Sequence, residues 1–514
     1  MSAQDRLPVL VGAGQLRANR DRTVEAAREP MDLLVAALAA AEADCGVRGL
    51  LRRADSVHAV RVASWAYDDL ARRVGAAVGA APAHCEDTGL GGHWPVRLLD
   101  RAAARIWSGE SEIALLVGAE AQASLGVLRK AGLDPVADGG WSATPGGPPA
   151  FDVDTLGSTL MQAAELLAPT RVYPLFENRL QADLGLTPAQ AAAESARLYA
   201  AQSVVAAGHP AAWQPRALSP EEVGTVGPGN RMVCEPYPLS MNAMPHVDQA
   251  AAVVLTSRRA ALELGIPAAR LVRVWGGAGA DDTSDVLARQ GFGRSLALEC
   301  ALSRCLEAGG VAPGDLDLVD VYSCFPVVPK LVAGQLGLAR DSALTVTGGH
   351  SSFGGPLNSY SLHAIATVAQ RLRAKPGLAL VHANGGYLTS QHAVLLSGAA
   401  HPDGYVGRPE AAAVVAAVVR TATIVEAAAG AAYLDVTVET ATVEHDRSGG
   451  PRQAFLVART ADGTRIAVAT PVGDAVSAGR LSLDALPAGR TTHVGRPIRV
   501  VLADDGTATL EETA

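Results

Sequence analysis

The sequence predicts a layered α/β protein built from two similar halves and followed by a small β domain. Strand and helix patterns recur in the same order in two parts of the chain, and short β-type runs alternate with turns after about residue 420. Hydrophobic residues make up 49% of the 514 residues, but aromatic residues only 4%. Ala-rich helices on Val- and Leu-rich strands suit such layers.

Each half is predicted to run strand, helix, Gly-rich loop, helix, strand, strand. In the first half these elements are 55–62, 67–79, 88–95, 96–109, 113–124 and 249–257. In the second half they are 315–322, 327–338, 347–356, 359–373, 378–391 and 392–398. The string GAG (12–14) is interpreted as a turn at a strand end, because Arg17 replaces the third Gly of a dinucleotide loop.

The domain prediction follows from this repeat. We predict an N-terminal half (1–124 with 241–265), an inserted loop or lid domain (125–240), a C-terminal half (266–405) and an antiparallel β-barrel (420–514). Pro/Gly clusters such as 143–152 and 219–230 mark the insertion, which we expect to carry binding contacts. The turns ADGT (461–464) and DDGT (504–507) predict hairpins in the tail.

Composition excludes several functional classes. The net charge of −9 argues against nucleic acid as a ligand. The longest apolar stretch, 411–435, is broken by Arg420 and Glu426, and the N-terminus has an acid before a short apolar run, so we expect no membrane span or signal peptide. Six scattered cysteines predict reduced thiols and a cytoplasmic location. No metal-ligand spacing is present, so we expect no metal and no permanently bound cofactor.

Polar residues lie in loops at predicted strand ends of both halves. Loops at the carboxyl ends of strands converge on one crevice in such sheets. The residues concerned are His93 in GLGGHWP, Tyr322 and Cys324 in YSCFP, His350 in GGHSSFGGP, and His382 and Asn384 in HANGGY. The pattern favours a site, although tight-packing glycines and a buried inert thiol explain the same residues.

These segments together resemble the thiolase superfamily over roughly residues 5–400. VLVGAG, IWSGESEIALLVGAEAQAS and NAMPHVDQAAAVVLTSRRAALELGI are close to thiolase segments, and the last keeps Asn242, Ala243 and Asp248 of the run N-A-S-x-I-N-D-G-A-A. VDVYSCFP stands where thiolases have N-E-A-F and sterol-carrier thiolases have H-D-C-F. TGGHSSFGGPLNSYSLHA is similar to N-x-G-G-x-x-x-x-G-H-P-L-G, and ANGGYL to the late C-x-G-G loop. The arrangement resembles thiolase-like proteins of type 1, whose additional C-terminal domain is similar to OB-type modules.

The resemblance implies the duplicated five-layered αβαβα thiolase fold, but the chain departs from the catalytic pattern. Gly92 stands at the nucleophilic Cys position, Gly355 at the His of G-H-P, and Ala383 at the second Cys. Glycine and alanine supply neither a nucleophile nor a base, so we expect negligible ordinary thiolase activity.

The resemblance also implies a CoA or acyl-CoA ligand, a role in lipid metabolism, and membership of the acetyl-CoA acetyltransferase-like acyltransferases, as a homodimer or a monomer. Asn242, Met244, His246 and Asp248 are the expected cofactor-binding residues, and Cys324, His350, Tyr322, His93 and Asn384 the candidate catalytic ones. Three readings stay open: an acyl-CoA enzyme with replaced catalytic residues, a non-catalytic CoA-binding subunit or scaffold, and a retro-aldolase acting on a β-hydroxyacyl-CoA through a Tyr acid/base.

Overall fold

The computed structural model describes residues 3–143, 157–414, 417–503 and 507–513. The helices are α1 (Pro30–Cys45), α2 (Leu70–Ala77), α3 (Trp94–Ser108), α4 (Gln122–Lys130), α5 (Thr159–Ala163), α6 (Pro169–Asp183), α7 (Pro188–Ala207), α8 (Pro220–Gly224), α9 (Arg258–Glu263), α10 (Leu296–Ala308), α11 (Val327–Gln335), α12 (Tyr360–Ala374), α13 (Ile424–Ala428) and α14 (Ala475–Leu481). Most of the predicted Pro/Gly cluster 143–152, and residues 504–506 of the predicted DDGT turn, lie outside the described residues.

The strands form two sheets. They are β1 (Pro8–Arg17), β2 (Ser56–Ala59), β3 (His84–Asp87), β4 (Ile113–Ala121), β5 (Met232–Cys234), β6 (Tyr237–Pro238), β7 (Asp248–Ser257), β8 (Val272–Asp281), β9 (Leu318–Val321), β10 (Leu378–Gly385), β11 (Ser390–Ser397), β12 (Arg408–Ala413), β13 (Tyr433–His445), β14 (Pro451–Arg459), β15 (Arg465–Ala469), β16 (Pro497–Leu502) and β17 (Ala508–Glu511). The larger sheet has the order β3-β2-β4-β7-β1-β8-β11-β10-β9, and β12 pairs with β8.

The larger sheet confirms the predicted duplication. On one side of the β1–β8 junction the order is β1-β7-β4-β2, and on the other it is β8-β11-β10-β9, with the same parallel and antiparallel pairings. The junction itself is short, with Val9 opposite Arg273 and Leu10 opposite Val272. The two halves therefore meet at the β1–β8 junction and are related by a local twofold. The repeated sequence pattern predicted this duplication.

Helices cover this sheet in layers. Helices α3 and α12 contact each other and both halves of the sheet, and their apolar faces form a common buried core with it. Helices α1 and α2 pack on the outer face of the N-terminal half, and α10 and α11 on that of the C-terminal half. The five layers are therefore α1 with α2, the N-terminal half of the sheet, α3 with α12, the C-terminal half of the sheet, and α10 with α11. The predicted αβαβα order is confirmed.

The interpretation of GAG (12–14) as a turn is wrong. Gly12 and Gly14 lie within strand β1. A Cβ on Gly12 would lie 2.4 Å from the carbonyl oxygen of Ala41, and one on Gly14 would lie 2.1 Å from that of Ala37. These glycines let helix α1 pack directly against strand β1. The string GAG therefore resembles a dinucleotide-binding loop in its sequence but not in its structure.

The tail forms an antiparallel sheet that the insertion extends. Strands β15-β14-β13-β16-β17 are joined by β5 and β6, which come from the insertion. Asn178 of α6 donates to the carbonyl oxygen of Ala441 at 2.8 Å, and Arg465 reaches the carbonyl oxygens of Leu287 and Arg289. The sheet path is open in the described residues, so closure into a barrel stays a prediction, as do the domain boundaries. None of the helices in those residues is long and apolar enough to cross a bilayer.

Candidate functional site

The space beside Gly92, which lies just before helix α3, is filled by a tyrosine side chain. A Cβ on Gly92 would lie 2.2 Å from Oη, 2.4 Å from Cζ and 2.5 Å from Cε2 of Tyr322, which follows strand β9. The Tyr322 hydroxyl donates a hydrogen bond to the carbonyl oxygen of Leu357 at 3.3 Å. Burial raises the pKa of Tyr322 well above its ordinary value, so the phenol stays protonated. Tyr322 therefore occupies the space that any side chain at position 92 would need.

His350 lies directly beside this tyrosine. Its ring stacks on Tyr360 at a centroid distance of 3.6 Å and lies 4.1 Å from the ring of Tyr322. The backbone N–H of Ser323 donates to Nδ1 of His350 at 3.3 Å, which leaves the proton of the neutral ring on Nε2. Burial lowers the pKa of His350 well below its ordinary value, so the ring is neutral.

The Nε2–H group of His350 is a buried donor without an acceptor. The residue is 2% exposed, and Nε2 has no hydrogen-bond partner in the part of the chain that the structure describes. A buried donor of this kind carries the cost of desolvation unless a ligand or water accepts its hydrogen bond. The group can therefore donate a hydrogen bond to a ligand acceptor or to a water molecule.

His93 brings the first loop against the end of strand β10. A Cβ on Gly385 would lie 2.1 Å from Nδ1 of His93. His93 is 6% exposed, and its Nδ1 likewise finds no hydrogen-bond partner among the described atoms. Burial lowers the pKa of His93 to about 3, which keeps this ring neutral too.

Asn384 belongs to a directed chain of hydrogen bonds. Nε2 of His382 donates to Gln391, and Gln391 donates to Oδ1 of Asn384 at 2.6 Å. Nδ2 of Asn384 then donates to the hydroxyl of Tyr173 at 2.8 Å, and that hydroxyl donates to the carbonyl oxygen of Gly386 at 2.6 Å. The amide of Asn384 is engaged at both ends, so this network holds the loop rigid.

Cys324 touches the same network but is not an activated thiol. Its sulfur lies 3.9 Å from Nδ2 of Asn384, and burial raises the pKa of Cys324 to about 12. A nucleophilic cysteine requires the thiolate, which is favoured by nearby positive charge rather than by this apolar setting. His350 does not lower the pKa of Cys324 in this geometry, since the neutral ring of His350 accepts a hydrogen bond from Ser323 instead.

The segment before strand β7 clamps the second Gly-rich loop. Met244 donates its N–H to the carbonyl oxygen of His350 at 3.0 Å and accepts from the N–H of Gly355 at 2.8 Å. A Cβ on Gly355 would lie 3.3 Å from the Cβ of Ala243, so that a side chain there would require a small shift of its neighbour. Ala383 is fully buried within β10.

The other predicted cofactor-binding residues divide into two groups. Asn242 is partly exposed and donates to the carbonyl oxygen of Pro238 at 2.8 Å, and His246 is exposed. Asp248 is fully buried, and its carboxylate accepts hydrogen bonds from the backbone of Ala123 and from Ser124. Burial raises the pKa of Asp248 to about 6. Asp248 thus serves the start of helix α4 inside the protein.

The insertion supplies residues that the sequence analysis missed. Tyr173 of α6 stacks on Phe325 with ring centroids 4.6 Å apart, and Tyr199 of α7 donates to the carbonyl oxygen of Ser323 at 2.9 Å. Gly348, at φ +117°, lies so close to α7 that a Cβ there would be 2.4 Å from the Cβ of Ala206. The insertion therefore lies over the convergent loops. The only signal for these residues in the sequence was the predicted role of the insertion as a lid.

Comparison with known proteins gives the class of the molecule. Residues 412–499 match the family described as the thiolase-like protein type 1 additional C-terminal domain. The crystal structure of a monomeric SCP2-thiolase-like protein type 1 from Mycobacterium smegmatis is similar at 28% identity and a TM-score of 0.78, covering 99% of each chain. The fold and its convergent loops thus define a thiolase-like protein. The chain is similar over its whole length to a thiolase-like protein of type 1, and its C-terminal residues match the additional domain of that family.

More distant relatives agree on the fold. Human mitochondrial 3-ketoacyl-CoA thiolase, solved in complex with CoA, is similar at 18% identity with a TM-score of 0.56, covering 77% of this chain and 99% of that one. An acetyl-CoA acetyltransferase of Allochromatium vinosum is 34% identical over 149 residues, 28% of this chain. The match spans only 35% of that curated relative's own length.

Proposed function

We propose that this protein binds an acyl-CoA thioester and does not use the covalent cysteine route of ordinary thiolases. One observation carries the proposal: the Tyr322 side chain fills the space beside Gly92, where the resemblance implies a nucleophile. Covalent acyl transfer needs a side chain at that position to form the thioester intermediate. The partly buried, protonated thiol of Cys324 is a poor replacement for it.

A thioester carbonyl fits the unpartnered donor in this site. The Nε2–H group of His350 is buried and lacks an acceptor among the described residues, and the protonated phenol of Tyr322 lies beside the same ring. A buried neutral donor favours an acceptor oxygen, and it favours it more as negative charge develops there. This arrangement supports recognition of a carbonyl group rather than of a cation.

The phosphates of a CoA ligand need positive groups at the entrance to the site, since the chain as a whole is negative. Arg20 and Arg22 are exposed, and Arg22 reaches the carbonyl oxygen of His246 at 3.2 Å. We therefore place the pantetheine arm along Asn242 and Met244, with the phosphates at these arginines. Asp248 is excluded from our ligand set because its carboxylate is used inside the protein.

Retro-aldol cleavage of a β-hydroxyacyl-CoA is the second candidate function. It is favoured by Tyr322 as a protonated acid 4.1 Å, ring to ring, from a neutral imidazole. The base that accepts the substrate's hydroxyl proton would have to be His93, whose Nδ1 is unpartnered among the described atoms. Low pKa values make both histidines weak bases, which favours binding without turnover.

Calorimetry and enzyme assays separate these functions. We expect heat of binding with CoA, acetyl-CoA or a longer thioester, weakened in Arg22→Ala and unchanged in the control Arg197→Ala, whose partner is Asp341. We expect no thiolysis of acetoacetyl-CoA. Absence of heat at millimolar ligand would contradict the proposal. Thiolysis abolished by Cys324→Ala would show that Cys324 is the nucleophile, and retro-aldol turnover lost in Tyr322→Phe would establish the second candidate.

We further propose that the protein is a monomer in the cytoplasm. The Mycobacterium smegmatis relative is described as monomeric, and all six cysteines of this chain are free. Light scattering coupled to size-exclusion chromatography tests the first statement. A mass near twice 52.6 kDa would contradict it.

A further inference from the structure

Two histidines and a glutamate meet at the edge of the larger sheet. His58 on β2 lies opposite Glu86 on β3 in the parallel register, and β3 is the edge strand. His84 and Glu86 are two residues apart on β3, so their side chains point to the same face of the strand. Strand pairing therefore brings together residues that are far apart in sequence.

The three side chains present ligand atoms to one point. Nδ1 of His58 lies 2.9 Å from Oε2 of Glu86, and Nε2 of His84 lies 3.9 Å from the same oxygen. All three atoms lie within 4.8 Å of one another. The 3.9 Å separation is too long for a hydrogen bond, and Nε2 of His84 is buried without a partner among the described residues.

The neighbours of these side chains hold them in ligand geometry. In this structure Nδ1 of His58 donates a hydrogen bond to the carboxylate of Glu86. A metal ion would displace that proton to Nε2, where the hydroxyl of Ser56, 2.7 Å away, can accept it. Arg101 pairs with Oε1 of Glu86 at 2.8 Å, which fixes the carboxylate and leaves Oε2 as the inward atom. Outer partners of this kind orient metal-binding histidines and carboxylates.

We propose that His58, His84 and Glu86 bind a divalent transition-metal ion of the zinc type. Zinc takes imidazole nitrogen at about 2.0–2.1 Å and carboxylate oxygen at about 2.0–2.2 Å. The observed separations bracket the spacing of such ligands, so small side-chain rotations close the site. Two imidazoles select zinc, cobalt or nickel over magnesium and calcium, which prefer all-oxygen ligands.

The position of the site decides its strength and its role. The side chain of His84 is 33% exposed, so an ion can enter and a water can take a fourth position. Arg101, paired with Glu86, and Arg105, which acts on His84, add positive charge that weakens the site relative to a closed four-ligand one. A bound ion would join β3 to β2 and so stabilise an edge strand that has one neighbour in the described sheet.

Metal titration of the tag-free full chain, stripped with a chelator, tests the site. We expect one Zn²⁺ per chain by calorimetry, a tetrahedral Co²⁺ spectrum in the visible range, and a rise in melting temperature with Zn²⁺ but not with Mg²⁺. His84→Gln and Glu86→Gln should each weaken Zn²⁺ binding about tenfold or more. His445→Gln is the matched control, since His445 pairs with Glu235 at 2.7 Å outside any cluster of three ligands found in the described residues.

Circular dichroism shows whether the variants fold, and His84 is exposed enough for its replacement to be tolerated. Failure to bind Zn²⁺ at a one-to-one ratio would overturn the proposal. So would equal affinity in His84→Gln and the wild type, or an equal loss in His445→Gln. None of these outcomes depends on acyl-CoA binding.

Discussion

The contact between Gly92 and Tyr322 makes a sharp prediction about substitution at position 92. Gly92→Ala adds one carbon, and that carbon would lie within 2.5 Å of three atoms of the Tyr322 side chain. The backbone of Gly92 is not in the left-handed region, so alanine brings no conformational strain of its own. The whole cost must therefore come from moving the tyrosine.

The expected magnitude follows from the packing. Overpacking a buried site costs about 1–3 kcal/mol, and loss of the Tyr322–Leu357 hydrogen bond costs about 1 kcal/mol. Replacing glycine by alanine returns about 0.4–1 kcal/mol through the unfolded state. We expect Gly92→Ala to lower the free energy of unfolding by about 2 kcal/mol. Tyr322→Phe should not relieve this cost, because Cζ and Cε2 of the ring remain in contact.

A double-mutant cycle measured by urea denaturation checks the reasoning. In a Tyr322→Ala background, Gly92→Ala should be neutral or slightly stabilising, so the coupling energy should be about 2 kcal/mol. Gly126→Ala is the control, because a Cβ on Gly126 meets nothing within 4 Å. Equal costs of Gly92→Ala with and without the Tyr322 ring would refute the claim that the tyrosine fills this space.

Three further outcomes are expected. Cys324, with a pKa of about 12 against an ordinary 9.0, should alkylate roughly a thousandfold more slowly at neutral pH than in urea, as mass spectrometry of labelled peptides would report. Burial raises the pKa of Glu120 from 4.5 to about 7, so the native state keeps a proton that the unfolded chain loses. Stability should therefore fall by roughly 3 kcal/mol as pH rises through that window, with a shallower slope in Glu120→Gln; an identical slope would contradict this. Lys330→Met should cost about 3–5 kcal/mol because it removes the cation that pairs with the buried side chain of Glu177, and adding Glu177→Leu should recover most of it.

The sequence predicted the repeat correctly because hydrophobic periodicity is a local property. Strands β2 and β9 and helices α3 and α12 follow from runs that each half carries by itself. The capping box of Thr187 is local in the same way, since it joins this residue to Gln190, three positions further along the chain. The prediction for GAG (12–14) was wrong because its glycines are required by close packing against helix α1. A local sequence pattern does not reveal such a contact.

The candidate site was only half predictable for the same reason. Its loops were predicted from strand ends and from the resemblance, and the resemblance also implies that two glycines and an alanine stand at the catalytic positions. The tertiary structure decided which side chains lie against the glycines of these loops: Tyr322 against Gly92 and His93 against Gly385. It also decided which polar atoms are paired, leaving Nε2 of His350 free within the described residues while engaging Asp248 and Asn384. Pairing and exclusion depend on distances between segments hundreds of residues apart, and residue order along the chain does not encode such distances in any local pattern.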